Sequence, residues 1–440
     1  MMKKARLEFD AKQDEILEDW LSTLPDDILV NIISRLNLDE AARTSVLSSR
    51  WKYLWTFITS LDFDDSELLK SVSEDTIVEE RASYINWVNK VLELHRGLSV
   101  NEFIISFDLD ASHGSTITNW IHTAISKRVQ KFELNLLPAL CWPPPPGIYT
   151  FSQECYDNLK SPHGLSCIKN LRSIYFDTVN VTGEILEFFI YNCPYLDELR
   201  VGRSDNLLRL KVVGSLTQLK CLDIDCCSNL EELEISCSSL LSFKYYGPKI
   251  KYNIKNVPRL DDVAIGGGTE GHGIGAERVL GPIVSYFPQL KTLELHVDVS
   301  EENIQFPQCE LPQLRHLTFI VSAHHCNSLL GLTRMMNSCP ILQKLTLKLE
   351  VFNYCKEITR PPFPNDCHRH LKLVELIGFS GHRVELQLAV YFFGTANVLE
   401  EMHIEVEPWE YKLDANIHAA RRRAEKLEQV LPPRVKLVIN

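Results

Sequence analysis

No run of about 18 apolar residues, the length a membrane-crossing helix needs, occurs in the 440-residue chain. Met1 to Asp19 is charged throughout and holds no apolar stretch, so no export signal is expected. Basic charge is in deficit: 46 Lys and Arg against 58 Asp and Glu leave a formal net charge of -12. That sign argues against a duplex-wrapping protein and against attraction to an anionic bilayer, so neither nucleic acid nor membrane is expected as a partner. Paired Cys-x-x-Cys knuckles, a Gly-x-x-x-x-Gly-Lys-Ser/Thr loop and a Gly-x-Ser-x-Gly elbow are all missing. No metal, no cofactor and no catalytic residue is therefore expected. Like charges never run longer than Arg421 to Arg423 in an arginine or lysine tract near the C-terminus, too few for an import tag.

What is present reads as folded protein. Hydrophobic residues make up 45% and charged residues 24%, ordinary globular usage. Thirteen cysteines, an odd number without an export signal, read as reduced and mostly buried thiols of a cytoplasmic or nuclear protein.

Beyond about residue 98 one pattern recurs: a leucine-like anchor, two free positions, an apolar residue, one free position, another apolar residue. Leu171-Ile174-Phe176, Leu196-Leu199-Val201, Leu290-Leu293-Leu295, Leu314-Leu317-Phe319 and Leu342-Leu345-Leu347 are clear copies. Leu207-Leu210-Val212, Leu219-Leu222-Ile224, Leu230-Leu233-Ile235 and Leu240-Phe243-Tyr245 form a closely spaced central group, and Leu260-Val263-Ile265 follows. Looser copies flank these at Val100, Val129, Leu371 and Leu399. Most anchors lie 24 to 30 residues apart, which leaves room for a helical return leg; the central ones lie 10 to 12 apart, room for a strand and a turn. Two apolar residues two apart share one face of a strand, so stacked copies predict a parallel sheet with a greasy inner row and a chemically free outer row.

The return legs agree. Gly183 to Tyr191, Ala276 to Phe287, Asn327 to Ser338 and Glu385 to Gly394 have helical apolar spacing. Three of them stop at Cys193-Pro194, Phe287-Pro288 and Cys339-Pro340, because proline disfavours helix at the residue before it. Equivalence with Phe287 marks Cys193 and Cys339 as apolar filler. Pro143 to Pro146 reads as a stiff inserted loop.

The head of the chain differs. Pro25 and the acidic Asp26-Asp27 suit a helix start, and Ile28, Leu29, Ile32, Ile33 and Leu36 form a broad apolar stripe. Short helices near Glu40 to Leu47 and Ser48 to Trp55 follow, with Trp51 and Trp55 four apart on one face. So small a module has a weak core of its own, and a partner covering part of it would complete it.

Leu24-Pro25-Asp26-Asp27-Ile28-Leu29 through Val46-Leu47-Ser48-Ser49-Arg50-Trp51 and Leu54-Trp55 resembles an F-box of the large plant class. Leu371 to Leu376, Gly378 to Gly381 and Leu399 to Ile404 are similar to the FBD region of that class. The resemblance implies an α/β chain in which a three-helix F-box (19–65, after a flexible tail at 1–18) leads through a linking helix (66–97) into a leucine-rich-repeat solenoid (98–360) and FBD-like repeats (361–440). It implies a non-catalytic substrate receptor of an SCF-type ubiquitin ligase, bound to a Skp-type adaptor and through it to a cullin, or an interaction protein whose F-box acts outside ubiquitination. By the family's motif, Leu24, Pro25, Ile28, Leu29, Ile32 and Leu36 are the expected adaptor contacts, with Val46, Leu47 and Trp51 shared between contact and core.

The outer row supplies the expected target contacts: Thr292, Glu294 and His296; His316 and Thr318; Lys344, Thr346 and Lys348; His403 and Glu405. An ordinary solvated face is the competing reading. Gly271-His272-Gly273-Ile274-Gly275-Ala276 spells a dinucleotide fingerprint, but the turn before it is too long for one. Cys221, Cys226, Cys227 and Cys237 cluster, as do His324-His325-Cys326 and Cys367-His368-Arg369-His370, without zinc-knuckle spacing.

Overall fold

The computed structural model describes residues 20–73, 75–138, 147–214, 218–267, 287–298, 310–324, 328–352, 368–406 and 417–440. The N-terminal tail, the Pro143–Pro146 loop, the Gly271–Ala276 letters, the helix expected from Ala276 up to Phe287, the 360/361 boundary, His325, Cys326 and Cys367 lie outside the described residues.

Among the described residues one parallel sheet of fourteen strands forms the spine, from Ser60–Asp64 at one edge to Lys436–Ile439 at the other. Its register follows the apolar anchors. Phe103 stands opposite Phe132, then Ile174, Leu199, Leu222, Phe243 and Val263. Leu293, Leu317, Leu345, Val374 and Met402 continue the same row. These side chains are buried, and a second buried row runs beside them through Ile105, Phe176, Val201, Tyr245, Phe319 and Ile404. A one-residue slip would turn both rows to solvent, so burial itself sets the register.

The central short copies depart from the expectation of a single sheet. Leu207-Leu210-Val212 and Leu230-Leu233-Ile235 belong to a separate three-stranded parallel sheet of Arg209–Val213, Glu232–Ser236 and Lys251–Lys255. Cys221–Asp225 and Ser242–Tyr246, the copies between them, stay in the main sheet. A span of ten to twelve residues holds a strand and a turn but no helix. Two successive copies therefore complete one coil, and a back strand takes the place of the helix.

Elsewhere helices fill the return legs, at Gly183–Asn192, Arg383–Thr395 and the short pair Leu330–Leu332 and Thr333–Met336. Many of the coils enter their strand through the same turn. The anchor's N–H donates three residues back, from Leu196 to Cys193, Leu290 to Phe287, Leu342 to Cys339 and Leu399 to Ala396. Leu230 to Cys227 and Leu240 to Cys237 repeat it in the strand-only coils. All six receiving residues are buried, so four of the cysteines occupy one repeat position as small apolar filler. Burial pushes the thiols of Cys193 and Cys227 up to about 12.

The head joins this body without a break. Ser60–Asp64 pairs with Glu102–Ser106, which makes it the first strand of the sheet, ahead of the strand the sequence placed first. At the seam Arg96 N donates to Thr56 O at 2.7 Å, Thr59 N to Ser34 Oγ at 3.0 Å, and buried His95 sets Nε2 2.9 Å from Ile58 O.

Candidate functional site

The N-terminal module is built from helix Asp26–Ile33, helix Leu38–Arg43, the 3-10 turn Thr44–Val46 and the 3-10 helix Trp51–Phe57. Pro25, extended at φ -58° and ψ 152°, stands just ahead of helix Asp26–Ile33 and turns the chain into it. Asn37 caps the second, its side-chain oxygen accepting from Glu40 N at 2.8 Å.

The helical period divides the stripe in two. Leu29 and Ile33 face inward with Leu38, Ala41, Trp51 and Leu54. Ile28, Ile32 and Leu36 face solvent at 45%, 41% and 41% exposure, joined by Val46 at 84% and Leu47 at 63%. Pro25 is exposed and Leu24 half-buried. Leu29 (0% exposed) is thus corrected from a candidate contact to a core residue; of the three residues expected to be shared, Trp51 (5%) takes the core role and Val46 and Leu47 the surface one. Trp51 and Leu54, three apart on this 3-10 helix, are both buried, and Trp55 packs half-buried against the same core. Two further rings on this helix, Tyr53 and Phe57, are exposed and were not among the expected contacts. Fully covering a side chain of this size is worth about 1.5–3 kcal/mol, so five exposed aliphatic side chains on one small module favour a protein partner.

The second candidate surface is the outward face of the main sheet. The register brings the expected row together: Thr292, His316 and Lys344 lie side by side, as do Glu294, Thr318 and Thr346, with His403 next on that line beyond Glu375. His296 shares the third line with Lys348 and Glu405. His316 and Glu405 are exposed and most others half-buried. Thr346 is buried, its hydroxyl donating to Glu375 at 2.8 Å, which removes it from the accessible set. Much of the row is satisfied within itself: Lys348 pairs with Glu294 at 3.5 Å, Lys344 pairs with Glu375 at 2.9 Å, and His403 Nε2 lies 2.7 Å from Glu401.

The same face continues toward the head, over strands whose outward residues the sequence reading did not select. Asp62, Glu133, Tyr175, Arg200, Asp223 and Lys244 extend the Glu294 line. Burial raises the carboxyls of Asp62, Glu133 and Asp223, and nearby acids add to the effect.

One arrangement resembles catalytic geometry and fails chemically. Cys155 Sγ lies 3.7 Å from His122 Nε2, and Asn158 Nδ2 lies 2.7 Å from His122 Nδ1. With Asn158 donating, the ring carries its proton on Nε2, the nitrogen that a thiol-activating base needs bare. Cys155 is fully buried and burial raises its pKa. Among the described residues no group of three or more His, Cys, Asp or Glu is placed to hold a metal ion, and no helix is long and apolar enough to cross a membrane.

Comparison with known proteins matches two stretches of the chain to two family models. The F-box domain model matches residues 21–59, and the model described as At1g61320/AtMIF1, LRR domain, matches residues 153–430. The Arabidopsis thaliana F-box/FBD/LRR-repeat protein At5g53840 is 25% identical over 433 residues, covering 92% of both chains. The F-box protein At4g27050 from the same plant is 26% identical, covering 93% of this chain and 98% of its own. F-box/LRR-repeat protein At3g59200 is 31% identical over a shorter 199 residues, 42% of this chain and 37% of its own.

Proposed function

The chain belongs to the leucine-rich-repeat family of F-box proteins, and on that premise we propose that it is the substrate-recognition subunit of an SCF-type cullin–RING ubiquitin ligase. The carrying observation is the row Ile28, Ile32, Leu36, Val46 and Leu47, five exposed aliphatic side chains on a module whose core is otherwise closed. A Skp-type adaptor covers that row. The outward face of the sheet holds a target protein. The chain makes and breaks no bond; it raises the effective concentration of target lysines near the ubiquitin-charged enzyme.

The continuous sheet supports this division of labour, because the strand that follows the head is also the first strand of the solenoid. We read the C-terminal coils as an FBD region, in keeping with the word FBD in the names of At5g53840 and At5g22660. The cytoplasm or nucleus, where such ligases work, is the expected location.

The test is co-purification of a Skp-type adaptor and cullin with the intact chain. Capture of both, lost when Leu24→Ala and Pro25→Ala are combined, supports the reading. Adaptor without cullin points to an F-box acting outside ubiquitination. Absence of adaptor overturns the proposal.

A further inference from the structure

We infer that Arg50 is a positioning residue for the adaptor contact: its guanidinium holds the start of helix Asp26–Ile33 so that Leu24, Pro25 and Ile28 present one surface with Val46 and Leu47. The inference rests on the reading of that surface as the adaptor site.

The geometry is a cross-tie between two stretches far apart in sequence. Arg50 Nε and Nη2 donate to the same Asp26 oxygen at 2.8 and 2.6 Å, and Nη2 also donates to the Leu24 carbonyl at 2.5 Å. One end therefore grips the backbone just ahead of the helix and a carboxylate in its first turn. The other end stands between exposed Leu47 and buried Trp51.

The elements being tied are short. The helix has eight residues, the 3-10 turn before Arg50 has three, and pieces of that length do not hold themselves in water. Leu29, Ile33, Trp51 and Leu54 join the two stretches from inside. They constrain depth and leave the helix start free to splay, since Pro25 makes no side-chain cap bond to the first turn. Arg50 acts at that point. Its planar fork can serve two acceptors at once, which a lysine ammonium on a flexible stem does less well.

The contribution belongs to binding more than to global stability. Side-chain exposure is 36% for Arg50 and 64% for Asp26, and ion pairs this open add little to the folded state. A surface ordered before its partner arrives loses less entropy on association, and that difference appears in affinity.

A double-mutant cycle on the full-length chain, with recombinant Skp-type adaptor as the probe, tests this. Arg50→Ala is expected to weaken adaptor binding about tenfold and Asp26→Asn about threefold. The double variant should bind about as well as Arg50→Ala alone, because both changes release the same tie. The melting temperature of the chain should stay unchanged in all three. Amides 26–33 should exchange faster in the free Arg50→Ala protein and match wild type in the adaptor complex. Arg50→Lys should recover part of the loss.

Unaltered affinity in Arg50→Ala overturns the inference. So does a double variant weakened by the product of the single effects, about thirtyfold, which would make Arg50 a direct adaptor contact. A fall in melting temperature parallel to the affinity loss overturns it too, by assigning Arg50 a general structural role. Failure of the wild-type chain to bind any adaptor removes the functional reading itself, a separate result.

Discussion

Arg81 Nη2 lies 2.6 Å from Asp108 Oδ1, with Nε also donating to the Asp108 carbonyl at 2.9 Å. This fastens helix Ile77–Leu94 to the chain leaving strand Glu102–Ser106. Asp110 joins at 3.4 Å, and both carboxylates are almost wholly buried. Burial by itself would raise the Asp110 carboxyl, but the Ser112 hydroxyl and amide, Arg81 and His113 outweigh it and hold the group below its usual value.

Replacing Arg81 with Ala removes the guanidinium that both buried carboxylates share, leaving Asp110 with Ser112 and His113. The expected cost is about 3–5 kcal/mol, read from urea unfolding of the full chain at pH 7. The lowered Asp110 carboxyl adds stability that is present above the ordinary aspartate range and disappears as pH falls through the depressed value. In Asp110→Asn that acid-side slope should flatten.

Leu29 and Ile32 sit one turn apart and should separate core from surface. Leu29→Ala is expected to cost about 2–5 kcal/mol of stability through the cavity it leaves. Ile32→Ala, at an exposed position, should change stability by less than about 0.5 kcal/mol and weaken adaptor binding. Denaturant titration and adaptor affinity, measured on both variants, check the pair.

Gly183 opens helix Gly183–Asn192, where alanine would ordinarily be favoured by about 1 kcal/mol. A Cβ there would stand 2.0 Å from the Arg209 carbonyl oxygen, the point where the helix abuts the first back strand. Gly183→Ala is therefore expected to destabilise by about 1–3 kcal/mol, the reverse of its helix propensity. A fall in the thermal midpoint is the reading sought; a rise would contradict the close approach.

Glu385 is fully buried, and burial pushes its carboxyl up to about 7 against the N–H groups of Ser380, Gly381 and His382 that favour the charge. A carboxyl raised on folding adds stability that is complete below its unfolded pKa of about 4.3 and is lost as pH rises through about 7. Amide exchange around 380–382 should accelerate from pH 6 to 8 beyond its intrinsic pH dependence. In Glu385→Gln that extra acceleration should vanish.

The apolar spacing by itself determined the parallel sheet, its register and the re-entry turns, because a strand one residue out of phase buries the wrong face. Leu293, Leu317 and Leu345 could be aligned without coordinates, and Cys193 and Cys339 could be recognised as filler beside Phe287. Local pattern could not say that Leu210 and Leu233 leave the main sheet, since a copy looks the same in either layer. Only the closure of each coil, with no space for a helix, sends alternate copies to the back. Nor could it tell Leu29 from Ile32, or place Arg50 against Asp26 across 24 residues. Those outcomes depend on which side of a short helix meets the rest of the chain, and tertiary packing alone decides that.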